Sequence, residues 1–352
     1  MSLAASLAGA LTKAGVKSDE AKTYGLRLST GVPNIDHMIC GKYRGGGFQS
    51  GRIVEISGPS SSGKTLLAQH VMKEAQQHGG AAAFHDHERT FDQGLFASFG
   101  GSIEEGIFTY RRPDTFEQSI DQSIDWMKAI RDANVVPFEA PLVCVFDSFA
   151  AMVPAEKMER GEGALNMREK VALATASSQE LPAFANFVEN NNILAIFLNQ
   201  IRTKPGVAYG DPRYTPGGDS LPYYCSVRIW LGRQMERDKK TKEITGQNIT
   251  AETVKNKTHR PFLKEDFVFK FKADGTGYID VCASMVEHIG AEHLTKIGVQ
   301  GGAWFTWEGQ RINGKDNFLA ALNADPTSVE KLIDIAEGKI AAAAPAPVVD
   351  AA

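Results

Sequence analysis

Cysteine is scarce in this chain of 352 residues: Cys40, Cys144, Cys225 and Cys282 stand far apart, and none belongs to a CxxC pair. That spacing offers neither a disulfide framework nor a zinc site, and it suits a reducing cytoplasm. Apolar runs of membrane-spanning length are lacking as well. The opening Leu3-Ala4-Ala5-Ser6-Leu7-Ala8-Gly9-Ala10-Leu11 has no basic stretch before it, as a secretory leader would. Leu3, Leu7 and Leu11 instead recur at helical spacing, which predicts a docked helix. No internal repeat is present, and there is no excess of positive charge: the net of −4 argues against nonspecific nucleic-acid binding by bulk charge. The charge is uneven, though. Residues 201–264 carry 13 Lys/Arg against 6 Asp/Glu, while the remainder carries 25 against 36. A basic strip on an acidic body can engage a phosphate backbone in one groove, but a solvated charged face has the same composition.

What is present is an ordinary globular composition, 43% hydrophobic and 23% charged, enough for one large α/β domain and a smaller appendage. Gly58-Pro59-Ser60-Ser61-Ser62-Gly63-Lys64-Thr65 is a complete P-loop. An apolar strand at residues 52–57 precedes it and a helical pattern at 66–77 follows, the order the motif requires. The glycines let backbone N–H groups close on phosphate oxygens at a helix N-terminus. Lys64 would reach the β- and γ-phosphates of a bound nucleoside triphosphate, and the Thr65 hydroxyl would sit on Mg²⁺.

Buried strands are predicted at 81–86, 107–110, 142–147 and 193–199, with helices at 115–133 and 166–190 between them. Such alternation predicts a mostly parallel sheet with helices on both faces and ligands at the carboxyl ends of its strands. From 226 the pattern turns to strands alone, at 226–233, 249–257 and 266–271, an antiparallel extension. Two long connections, 154–166 and 202–220, leave the P-loop edge, and the second holds three prolines and four glycines. Asp147 ends an apolar strand. Alone it would read as a turn former, but downstream of a P-loop it reads as the acid that holds Mg²⁺. Glu88, beyond the strand at 81–86, can polarise an attacking water. His85, Asp86, His87 and Glu88 also invite a metal-cluster reading, which alternation of side chains along an extended segment disfavours.

At these residues the chain resembles the RecA family of DNA recombinases. The resemblance is carried by Gly51-Arg52-Ile53-Val54-Glu55-Ile56, Phe84-His85-Asp86-His87-Glu88, Phe146-Asp147-Ser148 and Ile196-Phe197-Leu198-Asn199-Gln200-Ile201-Arg202. It continues through Thr215-Pro216-Gly217-Gly218, Val254-Lys255-Asn256-Lys257, Pro261-Phe262 and Gly302-Ala303-Trp304-Phe305, and spans roughly residues 27–335. A bacterial RecA and a phage-encoded UvsX-type relative both fit.

The resemblance implies a RecA-like P-loop ATPase core of α/β class. Its mostly parallel sheet has helices on both faces and an antiparallel extension, and an N-terminal helix and a small C-terminal α/β domain are attached. The expected organisation is an oligomerisation helix and linker at 1–26, the core at 27–279, the small domain at 280–338 and an Ala/Pro tail at 339–352. ATP would lie on the P-loop with Leu66 and Asp92, and Glu88 would activate water. Gln200 would sense the γ-phosphate, and Lys255 and Lys257 would reach the neighbouring protomer's ATP. Single-stranded DNA would meet Arg202, Lys204, Pro205, Arg213, Gly217 and Gly218 of the second loop, with Ser178 nearby. The implied partners are single-stranded DNA, homologous double-stranded DNA and further copies in a helical filament, in the cytoplasm of a bacterial cell, phage-infected or not.

Departures from the family pattern are expected to matter. The adenine-stacking tyrosine falls at Leu95, with Phe96 next to it, and an arginine contacting DNA falls at Pro182. Pro205 replaces an apolar wedge, and the tail is not acidic. Trp304, Phe305 and Trp307 read as core of the small domain, and Lys296, Arg311 and Lys315 as candidate duplex contacts. A hexameric helicase of the same fold and a DNA-coating, ATP-binding scaffold are the competing functions. The first would form closed rings, and the second would not need Glu88.

Overall fold

The computed structural model describes residues 2–15, 26–159, 169–206, 210–238, 240–272 and 276–339. Most of the expected linker, residues 160–168 of the first long connection and nearly all of the Ala/Pro tail lie outside them.

The N-terminal segment forms α1 (Leu3–Lys13), capped by Ser2 and with no residue buried. A short ribbon, β1 (Arg27–Leu28) with β2 (Phe48–Gln49), brackets α2 (Pro33–Cys40). The core then runs β3 (Arg52–Ser57), α3 (Lys64–Gln77), β4 (Ala81–Asp86), α4 (Gln93–Ser98), β5 (Phe108–Arg111), α5 (Phe116–Ala133) and β6 (Leu142–Asp147). It continues with α6 (Ala155–Glu159), α7 (Glu169–Asn190) and β7 (Ile193–Asn199). After β7 come β8 (Arg202–Thr203), β9 (Arg213–Tyr214), α8 (Ser220–Tyr224), β10 (Val227–Arg237), β11 (Ile244–Asn256), β12 (Lys264–Phe271) and β13 (Gly277–Asp280).

Nine strands make one sheet in the order β13-β12-β11-β10-β3-β7-β6-β4-β5. The strands from β10 through β5 are parallel, and β10 to β13 pair antiparallel. β4, β6 and β7 are buried at every position because helices cover both faces, which is why their sequences are apolar runs with polar residues only toward their carboxyl ends. One face packs on α2, α3 and the Phe96 cluster, and the other on α5, α7 and α8. Thr115 caps α5 by accepting from the Gln118 N–H, so that helix starts one residue later than its periodicity suggests.

The C-terminal part holds α9 (Val281–Ile289), α10 (Ala291–Lys296), α11 (Lys315–Ala324) and α12 (Ser328–Ala336), with a three-stranded sheet of β14 (Gln300–Gly301), β15 (Trp304–Trp307) and β16 (Gln310–Asn313). It has its own core around Met285, Phe305, Phe318 and Leu332. Phe305 and Trp307 are buried there, while Trp304 faces outward with the Arg311 guanidinium 4.5 Å over its ring. His288 of α9 ties this part to the core, bonding Tyr43 Oη at 2.8 Å and Glu265 at 2.7 Å. Arg44 adds ion pairs to Glu330, Asp334 and Glu337 of the last helical stretch. Among the described residues no helix is long and apolar enough to cross a membrane.

Candidate active site

The phosphate loop leaves β3 at Gly58 and enters α3 at Lys64. A side chain at Gly58 would meet Ser62 Oγ at 2.5 Å and the Leu231 carbonyl oxygen at 2.9 Å, so only glycine fits. The Gly58 N–H donates to the Asn199 carbonyl oxygen at 3.2 Å, tying the loop to the end of β7. Ser61 and Gly63 take left-handed φ of 57° and 84°, which turns successive N–H groups toward a concave side. Gly63 gives α3 no side-chain cap, so the first N–H groups of the helix are left to an anion. Ser57 Oγ and Ser62 Oγ are buried without partners. Exposed Pro59, Ser60 and Ser61 complete the rim, and half-buried Leu66 packs on the core below it. This cradle fits a triphosphate.

Lys64 Nζ donates to the carbonyl oxygens of Gly58 at 3.1 Å and Pro59 at 2.9 Å. Burial lowers its pKa, while Asp147 and Glu88 pull in the opposite sense. The Thr65 hydroxyl donates to Asp147 Oδ2 at 2.9 Å, setting two oxygens of the kind a hard cation prefers side by side. Asp147 is 4% exposed. Burial pushes its pKa up to about 7, with the Thr65 hydrogen bond working against the rise. Glu88 lies exposed just beyond β4, its Oε1 accepting from the Ser148 hydroxyl.

Asp86 builds the turn that carries Glu88. Fully buried, it accepts from the N–H groups of Arg89 at 2.6 Å and Phe91 at 2.9 Å, and from the Tyr110 hydroxyl at 2.9 Å. Sequence reasoning missed this role, although an Asp closing a strand before a turn is the available signal. The imagined His-Asp-His-Glu metal cluster does not form. His85 and His87 both turn toward α5, onto Ser123 and Ser119, whereas Asp86 faces Tyr110. Among the described residues no group of three or more His, Cys, Asp or Glu is placed to hold a metal.

Asp92 caps α4 by accepting from the Leu95 N–H at 3.0 Å. Leu95 is half-buried. Phe96 is fully buried among Phe91, Phe99 and Phe108, so it offers no platform for a base.

Exposed Gln200 follows β7 directly and leads into the second long connection. Within its described residues that connection is not structureless: β8 and β9 pair as an antiparallel ribbon, with exposed Pro205 and Gly206 just beyond β8. Arg202 and Lys204 are exposed, and Lys204 Nζ lies 5.4 Å over the Tyr214 ring. Arg213 is engaged on several sides, paired with Asp211 at 2.7 Å and Glu252 at 3.1 Å and 4.3 Å over the Trp230 ring. Part of the basic strip is therefore neutralised locally. Gly217 and Gly218 have φ of 99° and 82°, and side chains there would meet the Phe149 ring at 2.1 Å and Ala174 Cβ at 2.6 Å. The fold itself demands these glycines, a reason that close approach to a nucleic acid does not supply. Ser178 on α7 bonds Ser220 Oγ at 2.7 Å, fastening the far end of the connection. A cavity of about 850 Å³ opens between the two connections, lined by Lys157, Arg202, Lys204, Gly217 and Gly218 among others.

Lys255 pairs in register with Arg228, which is level with Glu55 of β3, and the Lys257 N–H donates to Ser226. Both lysines are thus two strands away from β3 and level with its middle and lower part, behind their own P-loop. Lys255 Nζ donates to the carbonyl oxygens of Pro222 and Tyr223, each at 2.7 Å, while Lys257 is exposed. Burial lowers the Lys255 pKa, helped by the charge of Lys257. In the C-terminal part, Lys296 is paired with Glu292 and Lys315 with Glu287.

The family model described as the RecA N-terminal domain matches residues 9–275. The Protein RecA of Synechococcus sp. (strain CC9902) is 34% identical over 310 residues, 87% of this chain and 75% of the relative. That of Chloroherpeton thalassium (strain ATCC 35110 / GB-78) is 33% identical, covering 92% of this chain and 83% of the relative. That of Gluconobacter oxydans (strain 621H) is 36% identical, covering 82% and 77%. Among solved structures, the RadB recombinase is similar with a TM-score of 0.47 at 20% identity, over 70% of this chain and 97% of that one.

Proposed function

Since this chain belongs to the RecA family, a P-loop, DNA-dependent ATPase acting in recombination, we propose that it assembles on single-stranded DNA as a helical filament. There it would pair that strand with homologous double-stranded DNA and exchange strands. Its working place would be the cytoplasm, and either a bacterial or a phage origin fits.

In this reading ATP lies on the loop of residues 58–65, with Leu66 and Asp92 at its margin. Lys64 leaves its loop carbonyls for the β- and γ-phosphates. Thr65 and Asp147 hold Mg²⁺, which when bound would offset the negative charge of the phosphates and of the buried carboxylate. Glu88 takes the proton of the attacking water, and the Ser148 hydroxyl keeps it in place. Gln200 bonds the γ-phosphate and orders the ribbon of β8 and β9. Arg202, Lys204 and Arg213 supply phosphate attraction, Pro205 acts as the wedge, and Gly217, Gly218 and Ser178 shape the groove floor.

The observation that carries the filament reading is the position of Lys255 and Lys257, set back from the protomer's own P-loop. If protomers stack head to tail, exposed Lys257, and Lys255 on leaving the Pro222 and Tyr223 carbonyls, would serve a neighbour's nucleotide. The Leu3, Leu7 and Leu11 stripe, 78%, 54% and 47% exposed, is available for the same contact between copies. Electron microscopy with ATP, Mg²⁺ and single-stranded DNA tests this. Open helical filaments are expected, and discrete closed rings would favour a helicase.

A further inference from the structure

A buried polar cluster lies in the sheet beside the site just described. Glu55 has no exposed surface, yet it sits in the middle of the sheet two residues before the end of β3. Arg228 of β10 donates Nε to Glu55 Oε2 at 2.5 Å, and Asn199 of β7 donates Nδ2 to Oε1 at 2.8 Å. Both donors have a second contact, and both second contacts fall on the same short segment. Arg228 reaches the Thr215 hydroxyl at 3.1 Å, and Asn199 reaches the Pro216 carbonyl oxygen at 3.3 Å.

Asn199 is also wired to the nucleotide side. Its Oδ1 accepts from the Gln200 N–H at 2.9 Å, and its carbonyl oxygen accepts from the Gly58 N–H at 3.2 Å. Immediately after Pro216, Gly217 packs against the ring of Phe149, next to the Ser148 that holds Glu88. A buried ion pair adds little net stability over an apolar substitute, because desolvation consumes much of the attraction. Its distinctive property is fixed geometry, and here that geometry spans the P-loop strand, the residue preceding Gln200 and the root of the second connection.

We infer that Glu55, Arg228 and Asn199 are positioning residues that hold the Thr215–Pro216 root of the second connection in register with the P-loop and Gln200. The inference rests on the reading of Gln200 as the nucleotide-responsive residue. Without the rigid root, a shift at Gln200 would be absorbed by slack in the segment rather than passed to the groove. The cluster reaches Thr215 through Arg228, so the Thr215 hydroxyl can be removed without breaking the Glu55–Arg228 pair itself.

The test compares the full chain with Thr215→Val and Thr215→Ser. Affinity for a single-stranded oligonucleotide is measured with Mg²⁺ and either ADP or a non-hydrolysable ATP analogue, alongside nucleotide affinity and melting temperature. Wild type is expected to bind DNA more tightly with the analogue. Thr215→Val should shrink that ratio by about fivefold or more, at the lower end of ordinary coupling between sites, with nucleotide affinity unchanged. Thr215→Ser, which keeps the hydroxyl, should restore it. An undiminished ratio in Thr215→Val would overturn the inference. So would an equal loss in both variants together with lowered melting temperature, which marks a packing defect. A wild type whose DNA affinity ignores the nucleotide would instead sink the switch at Gln200, and this inference with it.

Discussion

A carboxylate takes a proton from water only when it is held at the phosphate edge and left ionised. Glu88 is held there by two neighbours: Asp86 fixes its turn, and Ser148 bonds its oxygen. Glu88→Gln should therefore bind ATP normally and lose turnover by about 10²- to 10⁴-fold, the usual contribution of a general base. Phosphate release and nucleotide titration together check this, and near-normal turnover would assign the base elsewhere. Gly217 makes a second residue-scale case. Alanine there must keep φ near 99° and place Cβ 2.1 Å from the Phe149 ring. Gly217→Ala is expected to cost about 1–3 kcal/mol of stability through strain and overpacking. Urea unfolding with an unchanged midpoint would show that the segment relaxes freely.

At the scale of elements, the proposed communication between nucleotide and DNA would run from β7 into the ribbon of β8 and β9. β7 lies between the strands that end in the P-loop and in Asp147, and the ribbon begins two residues beyond Gln200. A γ-phosphate that bonds Gln200 would bias a short element already fixed at its root, an order-disorder arrangement suited to switching. Gln200→Ala should retain ATP binding but lose the ATP-dependent gain in single-stranded DNA affinity, with strand exchange falling in parallel. Fluorescence anisotropy with ADP and with a non-hydrolysable analogue measures it. If the mutant keeps the full difference, the signal takes another route.

For the whole molecule, the antiparallel extension carries Lys255 and Lys257 away from their own P-loop, and on the proposed reading they would complete the site of a second copy. Lys255→Ala and Lys64→Ala proteins should each hydrolyse ATP poorly alone. Mixed, they should regain part of the DNA-stimulated rate, because some interfaces combine an intact P-loop with an intact lysine pair. Co-assembled mixtures with no recovery would place the whole site within one protomer.

The P-loop motif and the positions of Glu88 and Asp147 beyond and at strand ends were legible because each signal is local: eight consecutive residues between a strand and a helix, and acids where apolar strands stop. β3, β4, β6 and β7 match their sequence-based bounds, since strands covered on both faces are predominantly apolar. The RecA-family motifs added the function. Tertiary structure alone decided matters that depend on distant residues. The Glu55–Arg228 pair joins positions 173 apart, and nothing local to either predicts it. The burial of Phe96 follows from packing with Phe91 and Phe108, which its position next to Leu95 does not reveal. The ribbon of β8 and β9, and the sheet of β14 to β16, are made of strands of two to four residues, too short for alternation to register. That Gly217 and Gly218 lie against Phe149 and Ala174 was likewise invisible in the sequence, because those partners lie far along the chain. Local patterns fix an element because its own side chains meet one environment along its length. Which elements then touch is set by the packing of the whole chain.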